Sequence, residues 1–255
     1  MKVLTKTFLI AFAVAGVAVF AKGFGHQKEQ AASREEEEKY LAAVMPKELF
    51  PYSHVDVSSR KNIHIGKDYL ELSLFPDQEL LHGGIRSEIS VDYPFKIGDT
   101  IQYTWKVWLP KDFPSDPDHR WWVMADWHDQ PDRNKGETWD GFPSRSAPVI
   151  IGYGNLDGKD YFGLSAGTPD THNNIGKIEM PHEKWVTLRV TVKWSRGDDG
   201  LVQVFKDDFS KPAIIYKGAN MHNDFQHYMK FGMYRHRDIH TENHIRVAGL
   251  EIKKL

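Results

Sequence analysis

The chain has 255 residues, of which 40% are hydrophobic and 27% charged, an ordinary composition for a globular protein. Its formal net charge of -2 at pH 7 gives no bulk attraction for nucleic acid or anionic membranes. The sequence contains no cysteine, which excludes disulfides. Aromatic residues make up 13% of the chain, and their rings stack on sugar rings as readily as they fill a core.

Residues 1–21 have the features of a secretory signal peptide. Lys2 and Lys6 form a basic start, and the apolar run from Phe8 to Ala21 is short for a transmembrane helix. We therefore expect a secreted or periplasmic protein without stable membrane association after cleavage. An uncleaved membrane anchor is the alternative.

Residues 22–45 are predicted to form a polar helical linker. Ser33 is a suitable N-cap residue, and the acidic run Glu35–Glu38 suits the positive end of the helix dipole. A single domain is then expected over residues 46–255, since no repeat or second boundary follows.

Short alternating segments separated by Gly, Pro, Asp and Asn fill the rest of the chain, with no sustained helical period. This pattern predicts an all-β fold, a concanavalin-like β-jelly-roll sandwich of antiparallel sheets with a concave substrate groove. The predicted strands are Tyr69–Phe75, Ile85–Asp92, Thr100–Leu109, Arg120–His128, Pro148–Tyr153, Tyr161–Ala166, Trp185–Trp194, Leu201–Lys206, Ala213–Tyr216, Tyr228–Arg235 and His244–Lys253.

Three of these strands place reactive side chains on one face. In the strand that begins at Tyr228, a period of two puts Met229, Phe231 and Met233 on a core face, opposite a polar face. If the three strands pair in one sheet, that sheet face carries Arg86, Glu88, Asp126, His128, Tyr228, Lys230, Tyr234 and His236.

This set of groups suits β-elimination in a uronic-acid polysaccharide. Cations or amides neutralise the substrate carboxylate, so that the carbanion formed at C5 becomes accessible. A base removes the C5 proton and an acid protonates the departing 4-oxygen, and histidine and tyrosine suit both roles.

The same segments resemble the signature strands of jelly-roll polysaccharide lyases. Arg86-Ser87-Glu88-Ile89, then Trp127-His128, then Tyr228–Tyr234 match the family order R-x-E, Q-x-H and Y-x-K-x-G-x-Y. The resemblance is closest to the heparin lyase I and glucuronan lyase-like group and more distant to the alginate lyases. It implies an anionic polysaccharide as the partner, a monomer and no cofactor.

The resemblance also implies a role for each matching residue. His128 and Tyr234 would form the catalytic pair, while Arg86 and Lys230 would stabilise the substrate carboxylate. Glu88 would orient Arg86.

The family glutamine two residues before the histidine is Asp126 in this chain. A carboxylate there repels a uronate unless it is protonated or paired, and Arg86 or Lys230 could pair it. The neutralising amide could instead come from Gln130 or Asn173.

Further substrate contacts are expected from Tyr228, Arg235 and His236. The long polar stretch from Asp129 to Ala147 is expected to form a wall of the groove, with Trp139 as a platform for a sugar ring.

Two other functions remain open on the residues alone. A glycoside hydrolase could use Glu88 and Asp126 as its carboxyl pair, and a lectin-like module could bind glycans on the same fold. His236, His240 and His244 recur every four residues, but they lie in a predicted loop, so no metal site is expected there. Asp157, Asp160, Asp198 and Asp199 are assigned to turns, where a structural calcium ion is conceivable.

Overall fold

The computed structural model describes residues 34–81, 83–169 and 171–255. The predicted signal peptide and the predicted linker up to residue 33 lie outside these described residues. Within them, no helix has the length and apolar character that crossing a membrane requires.

Residues 34–42 are helical, and a compact unit extends from Tyr40 to Leu255. Leu41 and Val44 are almost fully buried in the core of this unit. The folded unit therefore includes the last residues of the segment that the sequence suggested as a linker.

The part of the chain described by the structure forms fourteen strands and three short 3₁₀ turns. The turns are Lys47–Tyr52, Arg60–Asn62 and Arg133–Lys135. The strands are β1 (Ser53–Val57), β2 (Ile63–Ile65), β3 (Leu70–Leu74), β4 (Ile85–Val91), β5 (Thr100–Trp108), β6 (Trp122–His128), β7 (Val149–Leu156), β8 (Lys159–Ala166), β9 (Asn173–Glu179), β10 (Trp185–Lys193), β11 (Leu201–Lys206), β12 (Ile214–Lys217), β13 (Tyr228–Arg235) and β14 (Asn243–Lys254).

These strands form two antiparallel sheets of seven strands each. The first, called sheet A here, has the order β1-β4-β13-β6-β7-β8-β9, and sheet B has the order β12-β11-β10-β5-β14-β3-β2. The predicted all-β jelly-roll sandwich is confirmed. Each predicted strand has a counterpart, while β1, β2 and β9 were not predicted.

Apolar side chains from the facing sides of the two sheets form the core. Val186, Leu188 and Val190 of β10 are almost fully buried, and so are Phe231 and Met233 of β13. Burying a side chain of this size stabilises the fold by about 1.5–3 kcal/mol. The predicted core face of β13 is confirmed, so the alternate residues of this strand point away from sheet B.

A β-bulge interrupts the pairing of β13 with β6. Phe231 pairs with Ala125, but Tyr234 pairs with Val123, so that β13 has one more residue than β6 in this interval. Gly232 lies within the bulge with a φ of 141°, a conformation that residues with side chains rarely adopt. The bulge thereby sets the position of Tyr234 relative to β6.

We predict that Gly232→Ala destabilises the protein by about 1–3 kcal/mol. A Cβ atom at Gly232 would lie 2.4 Å from the carbonyl oxygen of Ser87 and 2.8 Å from the Cα of Glu88, and neither backbone atom can easily move. The measurement is the free energy of unfolding in urea. Gly154→Ala is the matched control, because no atom lies within 4 Å of its Cβ position; equal stability losses in the two variants would contradict the prediction.

Candidate active site

The outer side of sheet A carries the predicted polar residues together, and we call this surface the polar face. Antiparallel pairing places Tyr234 opposite Arg86 and Lys230 opposite Asp126. The three strands therefore bring these side chains to one face of the sheet, as predicted. The polar face is defined by Asp56, Arg86, Glu88, Asp126, His128, Tyr228, Lys230 and Tyr234.

Lys230 lies near the middle of the polar face and forms a buried ion pair. Its ammonium group donates a hydrogen bond to the Asp56 carboxylate on β1, and its Nζ lies 4.0 Å from Oε2 of Glu88. Burial disfavours the charged form of Asp56, but hydrogen bonds from His54 and Lys230 and the charge of Lys230 outweigh burial, so the pKa of Asp56 falls far below its usual value. Lys230 is thus already compensated by a carboxylate of the protein itself.

Arg86 and Tyr234 form a second group on the polar face. The guanidinium carbon of Arg86 lies 4.1 Å from the centre of the Tyr234 ring, and its Nη1 lies 3.3 Å from Oε2 of Glu88. The Trp121 ring meets the Tyr234 ring edge-on at 4.7 Å and is 47% exposed. Gly84 leaves the space that the Tyr234 ring occupies, since a Cβ atom there would lie 2.2 Å from Cε2 of the ring.

His128 is held at both ring nitrogens. Nδ1 lies 2.8 Å from the carbonyl oxygen of Asp129 and 3.0 Å from its carboxylate, and Nε2 lies 3.0 Å from the carbonyl oxygen of Arg145. Burial opposes the charged imidazole, but the Asp129 hydrogen bond and the charge of Asp126 outweigh it and raise the pKa of His128 to about 9. Because carbonyl oxygens only accept hydrogen bonds, this environment favours the doubly protonated imidazole.

Residues 129–147, called the wall segment here, connect β6 to β7 beside His128. Arg145 forms an ion pair with Asp129, with Nε 2.9 Å from Oδ2. His222 Nε2 lies 3.1 Å from the carbonyl oxygen of Ser146. These bonds tie the two ends of the wall segment to each other and to the fold.

Trp139 of the wall segment lies next to the polar face, as the sequence suggested. Its ring centre is 6.3 Å from that of Tyr228, whose own ring stacks on His128 at 5.9 Å. Trp139 is 60% exposed, so much of its ring is open to solvent. Exposed tryptophans thus flank both ends of the polar face, Trp121 near Tyr234 and Trp139 near Tyr228.

The two remaining carboxyl groups of the polar face, those of Glu88 and Asp126, lie in an environment that disfavours ionisation. Burial raises the pKa of Glu88 to about 7, with Lys230 opposing the shift and Asp126 adding to it. Burial likewise raises the pKa of Asp126, against the opposing charges of His128, Lys230 and Arg86. The polar face therefore contains two carboxyl groups whose burial favours the neutral form, beside cations that already have partners.

Arg235, which the sequence predicted to bind substrate, does not lie on the polar face. Arg235 is fully buried on the core side of β13, where its guanidinium packs on Trp122 and bonds Asn243. Its parity along the strand is that of Met233, so the period of two places it in the core. The prediction of Arg235 as a surface contact is wrong.

Gln130 does not offer a free amide. Its Nε2 donates to Oδ1 of Asp92 at 2.6 Å and to the carbonyl oxygen of Gln226 at 3.0 Å, and the side chain is buried in the wall segment. Asn173, the other suggested amide, lies on β9 at the opposite edge of sheet A from β1 and donates to the Thr171 carbonyl oxygen. Neither amide replaces the missing glutamine on the polar face.

His236 lies just beyond β13, beside the exposed tryptophan of this end. Its ring meets the Trp121 ring at 5.7 Å, edge-on, and its Nδ1 accepts a hydrogen bond from the backbone of Asp238. His236 thus borders the Tyr234 end of the polar face, where the sequence expected it.

Sequence reasoning missed three parts of this site. Asp56 belongs to β1, which was not predicted, so the partner of Lys230 was not visible. The ion pair of Asp129 with Arg145 spans the wall segment, and no short-range pattern indicates it. Trp121 lies just before β6, and alternation predicts that it points away from the buried Trp122, but the sequence reasoning did not assign it to the site.

Among the described residues, no group of three or more histidine and acidic side chains is arranged to hold a metal ion. His244 instead lies 2.7 Å from the Ser73 hydroxyl and 2.9 Å from Glu242. Asp160, which the sequence assigned to a turn, is a buried residue of β8 that bonds Tyr153 and His182.

A sequence model of the polysaccharide lyase family matches residues 34–248 of the chain. A comparison of the chain with curated proteins gave no match.

Solved structures of polysaccharide-degrading enzymes share the fold. The endo-β-1,4-glucuronan lyase of the fungus Trichoderma reesei superposes with a TM-score of 0.54 at 14% identity, over 80% of this chain and 87% of the other. The marine alginate lyase AlyA1 of Zobellia galactanivorans gives 0.51 at 15%, over 78% and 82%. The catalytic domain of a glycoside hydrolase family 131 protein of Coprinopsis cinerea gives 0.50 at 12%, over 84% and 81%.

Identities this low establish a shared fold, whereas the family model covers most of the chain. The prediction of a polysaccharide lyase is confirmed by this match. With its two-sheet jelly roll and its match over residues 34–248, the chain belongs to the polysaccharide lyase family.

Proposed function

We propose that the protein is an exported lyase that cleaves a uronic-acid polysaccharide, glucuronan-like or glycosaminoglycan-like, by β-elimination. The observation that carries this proposal is the Arg86 guanidinium 4.1 Å from the ring centre of Tyr234, with Trp121 against the same ring. A phenol, a cation and an open aromatic surface meet there. The export part of the proposal rests on residues 1–21 of the sequence.

Tyr234 is proposed to carry the proton transfers. In a β-linked D-glucuronate the C5 proton and the 4-oxygen lie on the same side of the ring, so one group can serve both. As a phenolate beside the Arg86 guanidinium, the Tyr234 oxygen takes the C5 proton, and the C4–O4 bond breaks as the C4=C5 double bond forms. The phenol so formed gives its proton to the departing 4-oxygen, which regenerates the phenolate. No oxidant or cofactor enters this balance.

His128 is proposed to act through its positive charge rather than as a base. Both of its ring nitrogens face oxygen acceptors, so it has no free lone pair for a substrate proton. A fixed imidazolium favours a substrate carboxylate and the negative charge that develops next to it. Lys230 contributes to the same field, although its ammonium is paired with Asp56.

Two aromatic surfaces support a polymeric sugar as the substrate. Trp121 and Trp139 are 47% and 60% exposed, and they flank the Tyr234 and Tyr228 ends of the polar face. Tryptophan rings of this kind suit the apolar faces of sugar rings. A chain of several sugar units could then lie along β13 between them.

We predict that Tyr234→Phe lowers kcat about 100- to 10,000-fold, because it removes the group that transfers the proton. The measurement is the ultraviolet absorbance of the C4–C5 unsaturated uronate during incubation with glucuronan, heparin and alginate. Tyr69→Phe is the control, since it removes a phenol hydroxyl just before β3 of sheet B, away from the polar face.

A variant Tyr234→Phe that keeps wild-type turnover would refute the assigned role. New reducing ends without unsaturated product would mean that the wild-type protein hydrolyses the glycan, and the elimination proposal would then be abandoned.

We further predict that Gly84→Ala lowers kcat by at least tenfold with little loss of stability, because the new methyl group displaces the Tyr234 ring. The ring can swing away, so the fold is spared. Steady-state kinetics and the unfolding temperature are measured together, with Gly154→Ala as the control. Unchanged kcat in a folded Gly84→Ala variant would show that the ring position is unimportant.

A further inference from the structure

Three buried polar atoms of the polar face have no hydrogen-bond partner in the described part of the chain. They are Nε of Arg86, Oε1 of Glu88 and Oδ1 of Asp126. These residues are 8%, 1% and 8% exposed, and buried polar atoms in folded proteins nearly always have a partner. The Arg86 atom is a hydrogen-bond donor, and the two carboxyl oxygens accept hydrogen bonds or, when protonated, donate them. Polar atoms without partners that lie together in this way indicate a polar ligand.

Asp126 is the carboxyl group left without a cation of its own. Opposite it on β13, Lys230 donates to Asp56 of β1, and Tyr228 is a neutral phenol. On β6 itself, His128 is bound by the wall segment at Asp129 and Arg145.

The strand beyond β13 offers Asp126 no free cation either. On β4, Arg86 lies 3.3 Å from Glu88, a second carboxyl group that repels a charge on Asp126. The neighbour of Asp126 on β7 is Ile150, which carries no charge. Each nearby cation therefore already lies against another carboxyl or carbonyl group.

We propose that Asp126 recognises the carboxylate of the uronate as a neutral carboxylic acid that donates a hydrogen bond to it, beside Arg86. A protonated carboxyl group has one O–H donor, and a hydrogen bond from it to a carboxylate is short and strong. It then performs the part that an amide donor would perform at this position. This inference rests on the proposed uronate substrate and assigns the residue that selects it.

The electrostatics agree with this assignment. Burial raises the pKa of Asp126, and burial raises that of its neighbour Glu88 to about 7. With both carboxyl groups neutral, the uncompensated charge of Arg86 faces the substrate. With both ionised, two negative charges face a negative ligand.

The sign of the pH dependence follows. The proton on Asp126 is required for binding, so affinity is full below the pKa of the carboxyl group and falls as the pH rises through it. Above that value each further pH unit weakens binding about tenfold. A ligand without a carboxylate has no such dependence.

The test is calorimetric titration of the full chain with β-1,4-linked tetraglucuronate between pH 5 and pH 8, where His128 keeps most of its charge. The Tyr234→Phe substitution is present throughout, so that no turnover occurs. Cellotetraose, which has the same linkage without carboxylates, is the ligand control. In Asp126→Asn the side chain keeps its shape but cannot ionise, and in Glu88→Gln the neighbouring carboxyl group is neutralised instead.

We expect affinity for tetraglucuronate to fall at least tenfold from pH 5 to pH 8 with Asp126 intact. Asp126→Asn should remove this fall and bind at least tenfold more tightly than the parent at pH 8. Glu88→Gln should keep the fall. Asp126→Gln, with a longer amide, is expected to give the same flat profile and replaces Asp126→Asn if that variant does not fold.

A pH profile of Asp126→Asn with the slope of the parent would overturn the inference, and so would undetectable binding of tetraglucuronate at every pH. If binding follows the expected pattern but the wild-type protein forms no unsaturated product, the elimination reaction fails while the recognition by Asp126 stands.

Discussion

The hydrogen-bonded ion pair between Lys230 and Asp56 is the interaction on which the polar face depends. Lys230 projects from the middle of β13 into a surface with several carboxyl groups, and its ammonium is bonded to the one on the edge strand β1. Removing one partner of a buried ion pair leaves an uncompensated charge and costs about 3–5 kcal/mol. The pairing also decides which carboxyl groups remain without a cation.

As a consequence, the acidic residues of the polar face differ in how readily they ionise. Asp56 is held as a carboxylate, whereas Glu88 and Asp126 lie where burial favours the neutral acid. Three acidic side chains that look alike in the sequence thus differ in how readily they ionise, because their burial and partners differ. The polar face thus holds Arg86 beside carboxyl groups that burial favours in the neutral form, which suits an anionic sugar, although the whole chain has a net charge of -2.

Much of this architecture was predictable from alternation along the strands. The core side of β13, the shared face of Arg86 and Glu88, and the presence of Asp126 and His128 on that face all follow from a period of two. Arg235 was assigned to the substrate side against its own parity, and the structure places it in the core with Met233.

The missed features have a common physical origin. The strands β1, β2 and β9 lie at sheet edges, where short, partly polar segments need no clear apolar pattern. Because β1 was missed, the partner of Lys230 was missed as well. The bond from Gln130 to Asp92 joins residues 38 positions apart, so no local pattern could reveal that this amide is occupied.

In the wall segment, the residues that anchor the loop to the fold are different from Trp139, which lies beside the polar face. Its first residue, Asp129, is joined to Arg145 near its end, and His128 and His222 bind the neighbouring carbonyl oxygens of Arg145 and Ser146. Residues between these anchors form a closed loop whose length has little thermodynamic weight, since doubling a flexible loop costs only about 0.6 kcal/mol. Insertions near Trp139 would therefore alter how far the wall reaches over a bound polymer while the strands that hold the reacting groups stay unchanged. Changes in this loop could therefore switch cleavage between internal bonds and chain ends without altering the strands.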